Sequence, residues 1–200
     1  GKPLQGVEVR IADDGEILTR GPNLMLGYWK EPAATQQAIQ GGWFHTGDLG
    51  ALDEDGYLRI TGRKKEIIVT ATGKNIVPTH LETLLCRDPF IIQAIVIGND
   101  RKYLSALIVP DPDALKAEIR RRRLWVWSKR RAVTHPQILE LYRERIDAQL
   151  AELAGHEQIK RFCVLDRGFL PENGHLTPKL SLRRDLIHQD FAKEIESLYQ

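Results

Sequence analysis

Cysteine is nearly absent from the 200 residues. Cys86 and Cys163 stand far apart and show neither metal-ligand spacing nor the density of a disulfide scaffold, so a zinc site, and any metal centre, is not expected and both thiols read as reduced and cytosolic. Long apolar runs are missing too: none approaches the roughly 18–20 residues that cross a bilayer, and no basic start, apolar middle and small-residue cleavage site mark a signal peptide. A soluble, cytoplasmic protein is the expectation. Neither sign of charge is in excess: 29 Lys and Arg against 27 Asp and Glu leave a net charge of +2, which argues for no particular partner and against nucleic acid. Internal repeats and low-complexity segments are absent. The chain opens on Gly1 without a methionine and runs straight into GKPLQGVEVRI, which reads as the interior of a longer coding sequence.

What is present is ordinary globular material, 42% hydrophobic and 28% charged, enough to bury a core. Two hundred residues allow one large or two modest units, and two are favoured. The dividing stretch is 56–78, GYLRITGRKKEIIVTATGKNIVP. A strand-like run (Tyr57, Leu58, Ile60) ends at Gly62, the cations Arg63, Lys64 and Lys65 follow, and a second run (Ile67, Ile68, Val69) leads into Thr72-Gly73-Lys74-Asn75. A charged joint between apolar runs is how a chain passes from one packed unit to the next; a basic surface hairpin is the equal alternative.

Before the joint the pattern is strand and turn. Val7, Val9 and Ile11 alternate with polar residues, Asp14-Gly15 turns the chain, and residues 16–19 return as a partner strand. Pro32 opens a short helix through Ile39, which Gly41-Gly42 ends. Beyond the joint, helices and strands alternate. Thr79 and Glu82 are spaced as a capping box, with Leu81, Leu84 and Leu85 on one apolar face. Residues 91–97 and 104–109 read as an antiparallel hairpin closed by Pro110 and Pro112, and a polar helix follows over 113–123. Thr134 and Gln137 are positioned to cap a longer helix whose apolar face runs from Ile138 through Leu141, Tyr142, Ile146 and Leu150 to Leu153, ended by Gly155. Residues 160–165 read as a strand, Asn173-Gly174 as a tight turn, and a single last helix carries Leu186, Ile187, Phe191, Ile195 and Leu198.

Two stretches carry candidate chemistry. In Thr46-Gly47-Asp48 an acid sits beside a glycine after two aromatics; a carboxylate can accept from both hydroxyls of a ribose, and the glycine lets the backbone approach. On residues alone a plain turn is the preferred reading. Residues 120–131 place seven cations around Trp125 and Trp127. The preferred reading is a solvated basic face with inward-packed tryptophans; a peripheral contact with an anionic membrane is kept as the alternative, and nucleic acid is the weakest option.

Taken together and in order, GKPLQGVEVRI, GEILTRGPNLMLGYWKEP, GWFHTGDLGALDEDGYLRITGRKKEIIVTATGKNIVP, HEQIKRF and GHLTPKLSLRR resemble the C-terminal part of the adenylate-forming superfamily, and within it the long-chain fatty-acid–CoA ligases. The resemblance covers nearly the whole chain. It implies an α+β fold: a β-rich tail of the large AMP-binding domain over 1–62, then a mobile α+β domain over 63–200 with a small antiparallel or mixed sheet packed by helices. The implied ligands are ATP, Mg2+, CoA and a fatty acid, and the remaining N-terminal domain lies elsewhere in the same protein. By position, Asp48 matches the acid that binds the ribose of ATP, reversing the preference for a turn. Arg63 matches a nucleotide-contacting arginine, Lys65 the hinge, and Thr72, Gly73, Lys74 and Asn75 the loop lining the pantetheine path.

One position departs from the pattern. The family's usual adenylation lysine falls in register on Ser181, which cannot supply a charge. Lys179, two residues earlier, would lie on the same face of an extended segment, displaced by roughly 6.5 Å, and is the substitute candidate. An aryl- or amino-acid-activating ligase and a non-catalytic binding module that kept the fold are the other readings; Ser181 supports the second. The 200 residues alone are expected to be inactive, since a Gly/Ser/Thr-rich phosphate loop and an acyl pocket are lacking in them.

Overall fold

In the computed structural model, which describes residues 1–200, the chain divides into two compact units, Gly1–Ile67 and Ile68–Gln200. The architecture is α+β.

The first unit is one antiparallel sheet. Strands β1 (Glu8–Ile11) and β2 (Glu16–Arg20) pair across the turn at Gly15, whose φ of +83° is open to glycine. Helix α1 (Pro32–Ala38) begins with proline at its first position, where no N–H is needed. It stops one residue before the expected end, because Ile39 already belongs to strand β3 (Ile39–Gln40). Gly41 and Gly42, at φ +56° and +79°, therefore make the two-residue loop into strand β4 (Trp43–Leu52), not a helix cap. β4 pairs with β2, with β3 at its start and with β5 (Leu58–Arg63) at its end. A 3₁₀ turn, Lys64–Glu66, follows. Ile17, Leu18 and Leu49 are this unit's only buried hydrophobic side chains.

The second unit has a true core. After the short hairpin of β6 (Ile68–Val69) and β7 (Asn75–Ile76) comes helix α2 (Pro78–Leu85). Strands β8 (Ile91–Ile97) and β9 (Leu104–Pro110) are antiparallel, and β10 (Ile159–Val164) adds parallel to β9. A parallel neighbour requires a long crossover; helices α3 (Pro112–Arg121), α4 (Lys129–Val133) and α5 (Pro136–Gln149) provide it. Helices α6 (Arg184–Asp190) and α7 (Ala192–Ser197) end the chain. Strand alternation sorts the core into two layers. Ala94, Val96, Leu104, Ala106 and Ile108 face a cluster with Leu81, Leu85, Ile138, Tyr142 and Ile146, whereas Ile95, Ile97, Leu107 and Val109 face Phe169, Ile187, Phe191 and Ile195. Burial of both faces is why the strands read as continuous apolar runs.

Several local expectations are corrected. The Thr79–Glu82 capping box does not form: Pro78 takes the first helical position behind Val77, no side chain caps that end, and the Glu82 carboxylate is used elsewhere. Helix α5 is capped by His135, whose Nδ1 accepts the Gln137 N–H at 3.3 Å, while Thr134 ends α4. It stops at Gln149, before Gly155. The last helix is two, broken at Phe191. Trp125 and Trp127 do not pack inward; they are 88% and 66% exposed.

Candidate functional site

The Thr46-Gly47-Asp48 segment is a bulge inside a strand. Between the pairs Glu16↔Leu49 and Leu18↔His45, β2 spends one residue and β4 spends three, so 46–48 are thrown out of the ladder, with Gly47 at φ +72°. Three bonds hold the bulge: Thr46 Oγ1 donates to the Ile17 carbonyl at 2.7 Å, Asp48 N–H donates to Thr46 Oγ1 at 3.1 Å, and Gly47 N–H donates to Glu16 Oε1 at 2.9 Å. The result re-aims Asp48 toward β5. There Arg63 is its register partner, and Arg63 Nε lies 3.0 Å from Asp48 Oδ1. The acid is therefore in a strand, not in the plain turn that residues alone favoured.

Glu16 anchors this arrangement. Its carboxylate is buried and meets His45 Nδ1 and Lys64 Nζ, each at 3.0 Å, besides the Gly47 N–H. Burial alone raises such a carboxyl; the bonds from His45, Lys64 and Gly47 outweigh it and hold Glu16 below its ordinary value. Lys64 also reaches Asp14 at 2.6 Å, and both acids push its ammonium pKa up. Sequence reasoning missed Glu16. Its signal was a lone acid flush against the apolar pair Ile17-Leu18.

The remaining predicted residues lie in separate places. Lys65 is exposed within the 3₁₀ turn after Arg63. In the second unit, Thr70 to Lys74 form a closed loop: Thr70 N–H donates to the Lys74 carbonyl at 3.0 Å, Gly73 N–H to the Thr70 carbonyl at 2.8 Å, and Lys74 N–H to Thr70 Oγ1 at 3.1 Å. Gly73 sits at φ +75°, and Asn75 already belongs to β7.

The segment around Lys179 is not extended, and this overturns the same-face arithmetic. Leu176 bridges Leu182, Thr177 N–H donates to the Ser181 carbonyl at 2.9 Å, and Leu180 N–H donates back to Thr177 at 2.8 Å. Pro178 presets the second position of this turn, Lys179 occupies the third, and Leu180 is left-handed at φ +61°. Lys179 is thus exposed at a turn tip, and Ser181 lies on the returning arm. Three residues after Ser181, Arg184 donates to both Glu82 oxygens at 2.7 Å; Glu82 also accepts the Val96 N–H at 2.8 Å. No three of the chain's His, Cys, Asp and Glu side chains converge as metal ligands.

Residues 65–200 match the family model described as the AMP-binding enzyme C-terminal domain. The chain belongs to that family. Long-chain-fatty-acid–CoA ligase FadD15 of Mycobacterium tuberculosis is 42% identical over the whole chain, and putative fatty-acid–CoA ligase fadD11 of the same species is 41% identical. The chain spans 33% and 35% of those two proteins, about a third of their length. Among solved structures, the adenylation domain of the carboxylate reductase from Mycobacterium chelonae covers 99% of the chain with a TM-score of 0.77, the chain matching 31% of it. At 24% identity that likeness concerns the fold alone. The AMP-binding C-terminal domain in this chain thus carries the mixed three-stranded sheet, the Thr70–Lys74 loop and the Lys179 turn.

Proposed function

We propose that this chain is the C-terminal part of an AMP-forming long-chain fatty-acid–CoA ligase, cytoplasmic, using ATP, CoA and a fatty acid. The observation that carries the reading is the bulge that sets Asp48 beside Arg63, in a chain 42% identical throughout to a protein named as such a ligase. In this reading Asp48 accepts the ribose hydroxyls of ATP, a geometry its two oxygens suit, and Arg63 turns from Asp48 to the nucleotide. A fatty carboxylate oxygen attacks the α-phosphorus of ATP, the bond to the β-phosphate bridge breaks, and pyrophosphate leaves. The CoA sulfur then attacks the acyl carbon, the carbon–oxygen bond to AMP breaks, and the thiol proton goes to solvent. Magnesium would enter with the phosphates, since the chain offers no ligand cluster of its own.

The domain division follows the same reading. Residues 1–62 are the tail of the large domain, 63–200 the mobile one, Lys65 the hinge, and Thr72, Gly73, Lys74 and Asn75 the loop that lines the pantetheine path. The first unit supports a missing neighbour: Leu26, Trp29 and Ile60 are exposed while only three hydrophobic side chains are buried, a surface that calls for a partner. The N-terminal domain of the same protein is that partner. Lys179 supplies the adenylation cation from its turn tip, where a free stem can swing toward phosphoryl oxygens. A peripheral membrane contact through 120–131 belongs to this reading as well, because the substrate is a lipid.

The test expresses the chain behind the preceding two-thirds of its protein and follows pyrophosphate release and acyl-CoA formation separately, with fatty acids of several lengths. Asp48→Ala is expected to lower kcat/KM for ATP at least about tenfold, the value of one charge-assisted hydrogen bond. Lys179→Ala is expected to slow pyrophosphate release and spare thioester formation from supplied acyl-adenylate. Unchanged adenylation in Lys179→Ala would remove that residue from the reading. No adenylate from any fatty acid would favour the non-catalytic module that Ser181 supports.

A further inference from the structure

The basic tryptophan stretch is one wall of a groove in the second unit, of about 700 Å³. Its apolar floor and walls include Leu115, Ile119 and Val133, and Ile92, Trp127 and Leu170 line it while standing well exposed to solvent. Four cations line it as well, Lys116, Arg120, Lys129 and Arg167, against one acid, Asp166. Trp125 stands edge-on to Trp127 with ring centroids 5.9 Å apart, and the Arg131 guanidinium lies 4.5 Å over the Trp127 ring.

The charges in 120–131 are not equivalent. Arg121 and Arg122 are spent on Glu118, at 2.6 and 2.5 Å, which holds that carboxyl down at about 2. Arg120, Arg123, Lys129 and Arg130 make no ion pair, and no acid lies within 120–131. Two neighbouring indoles left in water, beside unpaired cations and around an apolar trough, are costly unless something covers them. An anionic bilayer surface matches each element: cations meet lipid phosphates, indoles sit at the headgroup level, and the trough takes apolar groups from the acyl boundary.

We infer that this face, formed by Ile92, Arg120, Trp125, Trp127, Lys129 and Leu170, docks the protein on an anionic membrane surface. This deepens the membrane contact named above and is independent of the nucleotide chemistry, since none of these residues belongs to the Asp48 site. Docking there places the chain where a lipid-borne substrate is concentrated.

The experiment is co-sedimentation of the 200-residue chain with vesicles of phosphatidylcholine alone and with added phosphatidylglycerol, at low and moderate ionic strength. Binding is expected only with the anionic lipid and is expected to fall with salt. Arg120→Gln with Lys129→Gln should weaken it about fivefold per cation removed. Quenching by lipids brominated near the headgroup should be seen in the wild type and lost in Trp125→Phe with Trp127→Phe, whose unchanged circular dichroism would show an intact fold. Absence of binding to anionic vesicles at low salt overturns the inference, as does binding that both double variants retain in full. One-to-one uptake of a monomeric anionic amphiphile with no vesicle binding also overturns it and makes the groove a small-ligand pocket. None of these outcomes bears on pyrophosphate release, so the ligase reading stands or falls separately.

Discussion

Removing Glu82 tests how the turn bearing Lys179 is held. Glu82 is buried on α2 and Arg184 opens α6, 102 residues later, with a side chain only 18% exposed. Both terminal guanidinium nitrogens reach the carboxylate at 2.7 Å, and the same carboxylate takes the buried Val96 N–H at 2.8 Å. Glu82→Ala removes the bidentate carboxylate from a largely buried cation and the acceptor of the buried Val96 N–H, which together costs about 3–5 kcal/mol. For a unit of about 130 residues the unfolding entropy converts 1 kcal/mol into roughly 3–4 °C, so differential scanning calorimetry should show Tm lower by about 10–18 °C. Glu82→Leu together with Arg184→Met should recover most of that loss, because a hydrophobic pair of similar volume is nearly neutral where a broken pair is not. The cycle of single and double variants should give a coupling of roughly 3 kcal/mol. A Tm drop below about 4 °C, or additive single and double variants, would refute the claim that this pair fastens α6, and with it the adjoining turn, to the core.

Two further expectations concern the first unit. Glu16 is held below its free value of 4.5, so the unfolded state binds its proton first as pH falls; the stability it contributes is complete above about pH 4.5 and is lost below it. Urea midpoints followed by tryptophan fluorescence should fall on acidification in the wild type and less steeply in Glu16→Gln, and parallel curves would count against the Glu16 network. A methyl added at Gly50 would lie 2.5 Å from the Arg59 carbonyl oxygen and 2.7 Å from Ile17 Cδ1. Since a strand backbone cannot yield as a side chain can, Gly50→Ala should cost about 1–3 kcal/mol, and an unchanged melting curve would mean the β4–β5 pairing is looser than drawn.

Much of the fold was legible because its signals are local. Alternation gave β1 and β2, the β-branched run gave β8 with its partner, and three- and four-residue spacing gave the buried face of α5. Misreadings arose where a local signal had a distant competitor. Glu82 is spaced to cap its own helix, yet Arg184 offers a charge-assisted bidentate pair in a buried site, worth more than a cap at an end that Pro78 has already relieved of one donor. His135 displaced Thr134 as cap for a simpler reason: Pro136 fixes the first helical position, and the cap must precede it. Hydrophobicity alone turns Trp125 and Trp127 inward, but they sit among seven cations with no acid in 120–131, and the stretch stays in solvent with Trp127 as an exposed wall of the groove.

The candidate site divides along the same line. Asp48 and Arg63 were found as family letters, and letters could not say that one faces the other across two strands; that depends on β4 carrying two residues more than β2, and on Glu16 accepting the Gly47 N–H that the bulge leaves unpaired. The excess residues would slip the register if they were not pinned, so the buried Glu16 decides where Asp48 points. Around Lys179 local turn geometry overrides the strand period. The face assignment assumed a period of two, but Pro178 and the left-handed Leu180 fold 177–181 into a turn, and in a turn neighbours two apart no longer share a face. Whatever Lys179 does, it does from a tip whose side chain is free of the strand, and only its stem length, not a shift of strand register, sets how far its charge can travel.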